Sequence, residues 1–283
     1  MINGEVTAER LEDKLFQRQI MQEVLIASTG YGSLNNDAVI KRAQVGGRTK
    51  VSVTTMDAIT VSVDLDELVG SDIKSPEFGS ITADLKADEV KIAFTDEALS
   101  NSTLVNPMDL SVSNAAVGFA RALDRKIAAA LDTTPQMGTP INLKGKTFME
   151  AAAEAAGKLG EYQMTAVVGG QSAVGRLMGN IAHMSDGMQG ISVREGKTYL
   201  AGYDVPIITS SSLEMQAPGY VYFVSNDVPA AYVFEGSYKT RVYDDPKHRA
   251  TVWQGDVWNT VISNIRQVAN TNQGVVKTQL TYS

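Results

Sequence analysis

One uninterrupted helical pattern, from Asn106 to Asp132, constrains the fold of this 283-residue chain more than any other stretch. Asn106 is a favourable N-cap residue, and Pro107 suits the first helical position. About 25 helical residues at 1.5 Å each extend about 37 Å, twice the length of an average helix. We expect Phe119 and Leu123 to be buried against the C-terminal β segment. The apolar face comprises Val112, Ala116, Phe119, Leu123, Ile127 and Leu131, and a second face comprises Ser111, Asn114, Gly118, Arg121 and Arg125.

The stretch between residues 48 and 95 has a different period and predicts β-strands. Apolar and polar residues alternate there in four runs, which indicates half-buried strands. Between the second and third runs, Asp66–Ser80 is acidic and carries two glycines and one proline. We therefore predict that this segment is the tip of a long, exposed β-hairpin arm. The runs are Val51, Val53 and Thr55; Ile59, Val61, Val63 and Leu65; Ile81, Ala83 and Leu85; and Val90, Ile92 and Phe94.

Five charged residues of this tip form the predicted subunit-contact site. An isolated two-stranded hairpin is marginally stable in water, so the apolar face of the second run needs a further surface to cover. A neighbouring subunit would provide that surface, and the acidic tip would meet a basic patch on it. The predicted contact residues are Asp66, Glu67, Asp72, Lys74 and Glu77.

The rest of the chain predicts a mixed α/β domain followed by further strands. Val257–Asn270 and Val275–Tyr282 flank the sequence TNQG, a composition typical of a hairpin turn, so we expect these two segments to pair. The polar, glycine-rich stretch His183–Lys197 is expected to be a loop. The other predicted elements are helices at 7–27 and 147–160, a strand, turn and helix within 167–178, and strands at 204–209, 219–225 and 230–235.

The sequence VVGGQSAVGRLM, Val167–Met178, has the glycine spacing of a phosphate-binding loop. Four residues separate Gly170 from Gly175, but Arg176 and Leu177 stand where that loop has Lys and then Ser or Thr. Leu177 cannot bind magnesium, so half of the chemistry of nucleotide binding is missing. We favour the alternative, a structural strand-to-helix connection whose glycines permit a sharp turn.

Catalytic and metal-binding patterns are weak throughout the sequence. The chain has no cysteine, which excludes disulfides, zinc–thiolate sites and cysteine nucleophiles. The two histidines, His183 and His248, have no metal-ligand spacing. Asp64–Asp72 resembles a calcium loop, but Gly70 is its seventh residue where that loop needs glycine sixth. The residues therefore predict no catalytic, cofactor-binding or metal site and argue against an enzyme.

The composition is that of a soluble globular protein, with 43% hydrophobic and 20% charged residues. No apolar run approaches the roughly 20 residues that a bilayer-spanning helix needs, and the polar N-terminus shows no signal peptide. The absence of cysteine fits assembly in a reducing cytoplasm.

The net charge of −7 is unevenly distributed along the chain. Residues 1–100 carry 10 basic and 17 acidic side chains, whereas residues 238–283 carry 6 basic and 3 acidic ones. No basic stripe of the kind that grips DNA phosphates is present, so we expect weak duplex binding without sequence preference. The acidic and basic regions would attract each other between copies, and ordinary solvated surface is the alternative interpretation.

The predicted elements follow one another in an informative order: helical arm, long hairpin, strand, very long helix, α/β domain and final β segment. This order resembles that of the major capsid proteins of tailed double-stranded-DNA bacteriophages, which have the Hong Kong 97-type fold. Phe94–Ser102 is similar to the family's segment before its spine helix, and Thr165–Gly179 to its strand followed by a short helix. A third similarity, within Lys197–Ser210, is to the family's turn of leucine, small residue, glycine, any residue, proline and valine. The matching residues here are Leu200, Ala201, Gly202, Val205 and Pro206, with valine before proline instead of after it.

The resemblance covers nearly the whole chain and implies an α+β fold with four parts. These are an N-terminal arm (1–35), an extended β-hairpin loop and peripheral domain with a long spine helix (36–135), an α/β axial domain (136–237), and a C-terminal β return to the peripheral domain (238–283). It also implies a structural protein whose pentamers and hexamers form an icosahedral shell, enclosing double-stranded DNA without sequence-specific binding. No cofactor or membrane is implied.

The family resemblance further implies portal and scaffolding proteins as partners, and in some members a decoration protein. Assembly would take place in the host cytoplasm, and the product would be part of the virion. Some members cross-link subunits through a lysine and an asparagine; Lys74 lies in the predicted tip, but no motif identifies a partner for it. Two alternatives stay open, namely an encapsulin-type nanocompartment that packages enzymes within the same fold, and an unrelated α/β enzyme.

Overall fold

The computed structural model describes residues 34–56, 78–95, 97, 107–134, 140–142, 146–182, 191–194, 197–200, 202–263 and 274–279. The strands are β1 (Lys41–Gly46), β2 (Lys50–Met56), β3 (Phe78–Asp84), β4 (Lys86–Thr95), β5 (Ile141–Asn142), β6 (Ala166–Gly169), β7 (Ile191–Arg194), β8 (Lys197–Leu200), β9 (Val205–Thr209), β10 (Tyr220–Val224), β11 (Ala231–Asp245), β12 (Ala250–Ser263) and β13 (Val275–Gln279). The helices are α1 (Pro107–Thr133), α2 (Phe148–Leu159), α3 (Gln171–Ala182) and α4 (Ser211–Gln216). The predicted helix at 7–27 lies outside the described residues.

Seven strands form a mixed sheet in the order β5-β13-β10-β6-β9-β8-β7. The central strand β6 is buried along its whole length, as its apolar sequence AVVG predicts for a strand covered on both faces. Val167 and Phe223 pack into a cluster with residues of α2, whereas Val168 and Tyr222 pack with residues of α1. The sheet is therefore enclosed between these two helices. Thr147 and Glu150 begin α2 with a reciprocal capping box, a frequent start signal for helices.

A second sheet contains four strands in the order β1-β11-β12-β4. Its long strands β11 and β12 are antiparallel neighbours from Ala231 to Asp245, with a register shift between Glu235 and Tyr238. Parallel pairing of β1 with β11 covers only residues Tyr232 to Gly236 of β11. The predicted strand at 230–235 is thus the beginning of a much longer element.

The separate pair β2–β3 is the base of the predicted hairpin arm. The two strands are antiparallel and in register from Lys50–Asp84 to Met56–Phe78. Val51 and Leu85 form a small apolar cluster with Phe234 and Ile262, which fixes the base to the four-stranded sheet. The predicted run Ile59–Leu65 and most of the tip lie outside the described residues.

The helix α1 confirms the predicted long helix between Asn106 and Asp132. Ala116, Phe119, Ile127 and Leu131 are buried, and Leu123 is half-buried against the core shared with the seven-stranded sheet. The helix also packs against β4 and β12. It consequently joins the two sheets. Phe119 is buried as expected, Leu123 is less buried than expected, and the contact of Phe119 with the C-terminal strands stays a prediction. Within the described residues, no helix is long and apolar enough to cross a membrane.

Two local predictions are wrong. The expected hairpin between Val257–Asn270 and Val275–Tyr282 does not form, because β12 belongs to the four-stranded sheet and β13 pairs with β10 and β5 in the seven-stranded sheet. The first four residues of β13 are all buried, as expected of an interior strand. The stretch His183–Lys197, predicted as a loop, contains β7, which forms a hairpin with β8.

The four-part division of the chain at residues 35, 135 and 237 stays a prediction. The pairing of β13 assigns residues 275–279 to the same sheet as strands from 136–237. The C-terminal return therefore reaches both sheets, β12 on the four-stranded side and β13 on the seven-stranded side.

Candidate functional site

The glycine turn that the sequence singled out connects β6 to α3 and confirms the predicted strand, turn and helix. At the start of α3, the Ser172 amide donates a hydrogen bond to Oε2 of Glu214 at 3.0 Å, and the Ser172 hydroxyl donates to Oε1. A helix N-terminus attracts anions because its first amides lack partners and its dipole end is positive. The Glu214 carboxylate, from α4, thus occupies the position where a bound phosphate would lie.

Gly170 is needed for this close approach. A Cβ at position 170 would lie 3.0 Å from the Cα of Glu214, whereas a Cβ at Gly175 would have no neighbour within 4 Å. The turn therefore packs α4 against α3 and leaves no space for a nucleotide phosphate. This geometry favours the structural interpretation of the motif. Glu214 was not identified from the sequence, because it lies 42 residues from Ser172 and belongs to no motif.

A charged junction ties the end of α1 to the seven-stranded sheet. Lys277 Nζ lies 2.9 Å from Oδ1 of Asp132, and the Tyr222 hydroxyl donates to the same oxygen at 3.2 Å. Lys277 also lies over the Tyr220 ring, 3.9 Å from its centroid, a cation–π geometry. Gln216 of α4 completes the junction through Oδ2 of Asp132.

The surroundings of Asp132 and Tyr222 shift the pKa values of both groups. Partial burial disfavours the charged carboxylate of Asp132, but the hydrogen bond and charge of Lys277, with smaller contributions from Tyr222 and Gln216, hold the pKa of Asp132 below its usual range. Burial, with the adjacent Asp132 charge, raises the pKa of Tyr222. At neutral pH Asp132 is therefore a carboxylate and Tyr222 a neutral phenol. The contact of Asp132 with Lys277 is a structural ion pair between α1 and β13.

A second charged junction ties the same helix to the four-stranded sheet. Lys126 Nζ lies 2.8 Å from both carboxylate oxygens of Asp88 on β4 and 2.6 Å from Oδ1 of Asn259 on β12. The Asn259 amide donates to Asp88 at 2.7 Å, which closes the triangle. Lys126, Asp88 and Asn259 thus serve as hydrogen-bond partners for one another where α1 packs on the four-stranded sheet. Together, the two junctions fix α1 to both sheets.

The predicted subunit-contact residues Asp66, Glu67, Asp72, Lys74 and Glu77 lie outside the described residues, so their assignment stays a prediction. What the structure describes is the anchored base of the arm, β2–β3. Beside that base is an open groove of about 550 Å³, lined by residues of β1, β2 and β11. Among the described residues, no three His, Cys, Asp or Glu side chains are grouped so that they could hold a metal ion.

No family model matches the chain, and no curated protein matches it. Solved structures that are similar to it come from capsids and related particles. The capsid of a native GTA particle gives a TM-score of 0.63 at 13% identity, over 88% of this chain and 90% of that chain. The capsid of the cyanophage P-SCSP1u gives 0.61 at 10% identity, over 86% and 87%. A virus-like particle from Pyrococcus furiosus gives 0.57 at 9% identity, over 93% and 98%.

These likenesses define a class: the chain is an α+β protein with the fold of phage capsid proteins. More particularly, the long helix, the hairpin base and the two sheets constitute the Hong Kong 97-like fold, as the element order implied. At identities of 9–13%, the similarity establishes the fold alone.

Proposed function

We propose that this chain is a major capsid protein, a structural subunit that self-assembles into a closed shell. The observation that carries the proposal is the extent of the match to the GTA particle capsid, which includes 88% of this chain and 90% of that one. A similarity of this extent involves both sheets and the helix between them. It therefore supports a role for the whole chain as a shell subunit.

The internal construction of the subunit suits this role. The two charged junctions and the apolar faces of α1 hold the sheets in one orientation, as a repeating building block requires. The base of the hairpin, β2–β3, is fixed to the four-stranded sheet by an apolar cluster. We propose that Asp66, Glu67, Asp72, Lys74 and Glu77 at its tip contact a neighbouring subunit in pentamers and hexamers.

The proposed contents are double-stranded DNA, held without sequence-specific contacts, as in a tailed-phage virion. A second candidate is a shell of the encapsulin type around protein cargo. The specific observation in its favour is the Pyrococcus furiosus virus-like particle, which matches 93% of this chain and 98% of its own. An enzymatic activity is not part of either proposal.

The proposed partners follow from the phage-type function. A portal protein would replace one pentamer, a scaffolding protein would guide closure, and a decoration protein would bind the outside of the finished shell. Assembly would take place in the host cytoplasm.

The contents of purified particles distinguish the two candidates. Particles recovered from cells that make the complete virion are treated with nuclease, opened and analysed for DNA and for protein. Nuclease-protected duplex DNA of uniform length is the result expected of a phage capsid. Particles that hold one enzyme and no DNA would support the encapsulin-type candidate, and failure to find particles would contradict both.

A further inference from the structure

The junction between α1 and the four-stranded sheet brings an amine, a carboxamide and a carboxylate into mutual contact. Lys126 Nζ lies 2.6 Å from the carbonyl oxygen of the Asn259 side chain and 2.8 Å from both carboxylate oxygens of Asp88. The side-chain nitrogen of Asn259 lies 2.7 Å from Oδ2 of Asp88. Asp88 therefore contacts both the amine and the nitrogen of the carboxamide, as a residue that transfers protons between these two groups must.

The amine is close to the carbon atom of the carboxamide as well as to its oxygen. A C=O bond is about 1.23 Å long, so Lys126 Nζ lies at most about 3.8 Å from Cγ of Asn259. Reacting atoms come within about 3–3.5 Å of each other before a bond forms, and a fixed arrangement replaces a chance encounter in solution. The two atoms thus need only a small shift to reach the geometry of attack.

The surroundings of the three groups hold them in place and shield them from water. Lys126 belongs to α1, Asp88 to β4 and Asn259 to β12, so all three side chains project from regular elements. Asn259 is only 5% exposed, and the side chains of Lys126 and Asp88 are 29% and 19% exposed. Water, the competing nucleophile, consequently has little access to the carboxamide.

We propose that Lys126 and Asn259 form an isopeptide bond within one subunit, with Asp88 as the residue that transfers the protons. Asp88 accepts a proton from the Lys126 ammonium, and the neutral amine attacks Cγ of Asn259. Asp88 donates that proton to the side-chain nitrogen of Asn259, whose bond to Cγ then breaks. A second proton from Nζ passes through Asp88 to the departing ammonia, which leaves as ammonium. One C–N bond forms and one breaks, so the step needs no oxidant or reductant.

The other lysine junction has a different electrophile and serves as a comparison. Lys277 contacts Asp132, whose pKa is held low by that lysine, and an ionised carboxylate resists attack by an amine. Lys126 instead contacts a neutral carboxamide. Its three reacting residues belong to one chain, so the bond joins α1 to β12 of the same subunit. It forms before any assembly and is independent of the proposed shell function.

The mass of the intact chain measures the bond directly. Most chains of the purified, unassembled subunit should be lighter than the sequence mass by one molecule of ammonia. After digestion with trypsin, Lys126–Lys144 should be found joined to Ala250–Arg266, because trypsin does not cleave after an acylated lysine. On a denaturing gel, the chain should migrate faster than an open chain because the loop between residues 126 and 259 stays closed.

Three variants distinguish this bond from other losses of ammonia. Asn259 would also lose ammonia if it cyclised to a succinimide, a reaction that needs no lysine. Lys126→Arg keeps the positive charge and should have its full sequence mass, whereas a succinimide would persist in it. Asp88→Ala should lower the joined fraction at least about tenfold, with circular dichroism as the check on folding. Lys277→Arg is the matched control and should retain the loss of ammonia.

The wild-type mass decides whether the bond exists, even if a variant fails to fold. A folded wild-type subunit with its full sequence mass would overturn the inference, and so would a loss of ammonia that persists in Lys126→Arg. An undiminished joined fraction in Asp88→Ala would contradict the role of Asp88. All of these measurements use the unassembled subunit, so their failure leaves the proposed shell function intact, and failure to form shells leaves the bond to be judged by mass.

Discussion

Gly170 and Gly175 belong to one sequence motif but have different surroundings. A Cβ on Gly170 would press against the backbone of Glu214, whereas Gly175, inside α3, faces open space. Overpacking costs about 1–3 kcal/mol, so Gly170→Ala should lower the free energy of unfolding by that amount. Gly175→Ala should raise it by about 0.5–1 kcal/mol because alanine loses less entropy in a helix. Urea denaturation of the unassembled subunit measures both, and equal effects would contradict the packing of α4 on the turn.

We predict that the free energy of unfolding depends on pH through Asp132. Its pKa is held low in the folded state, so its stabilising contribution is complete above the unfolded pKa of about 3.9 and is lost as the pH falls through the folded pKa. The Asp132→Asn variant lacks this contribution at every pH. We therefore expect the unfolding free energies of wild type and variant to differ most at pH 7 and to converge at acidic pH, as the pH falls through the folded pKa of Asp132. A difference that stays constant between these pH values would show that the Lys277 contact contributes no ionic stabilisation.

At the scale of secondary-structure elements, the helix α1 holds the subunit together because it packs on both sheets. Phe119 is buried there, and truncating a buried Phe to Ala typically costs about 3–5 kcal/mol. Phe119→Ala should therefore yield a poorly soluble subunit with a strongly lowered thermal midpoint. Arg121→Ala, two residues away on the exposed face, is the matched control and should change stability by less than about 0.5 kcal/mol. A normal midpoint for Phe119→Ala would contradict the role assigned to the helix.

The elements that sequence predicts well are those defined by local periodicity. The long helix, the alanine-rich helix α2 and the turn from β6 to α3 each follow from residues within one stretch of the chain. The sheet to which β13 belongs depends instead on β10 and β5, which are distant in sequence, and the nearby turn composition favoured the wrong pairing. The junction of Asp132 with Lys277 spans 145 residues and has no local signal. Such contacts require the tertiary structure.

At the scale of the whole molecule, we predict that the hairpin arm is needed for assembly but not for folding. Met56 and Phe78 are the last described pair of the ladder, so replacing residues 66–77 leaves the described part of β2–β3 intact. We expect a chain with Asn-Gly in place of 66–77 to remain folded and soluble but unable to close a shell. Circular dichroism reports the fold, and sedimentation with electron microscopy reports assembly. Closed shells of normal size would show that the tip is dispensable, and loss of the fold would show that it packs within its own subunit.

A cryo-electron microscopy reconstruction of the particles proposed for this protein tests the central claim most directly. We predict closed icosahedral shells whose subunits are arranged in rings of five and six, with the seven-stranded sheet of each subunit nearest to the ring axis. The β2–β3 hairpin should extend over an adjacent subunit. Particles that lack such rings, or a protein that remains monomeric under the conditions of virion assembly, would contradict the account.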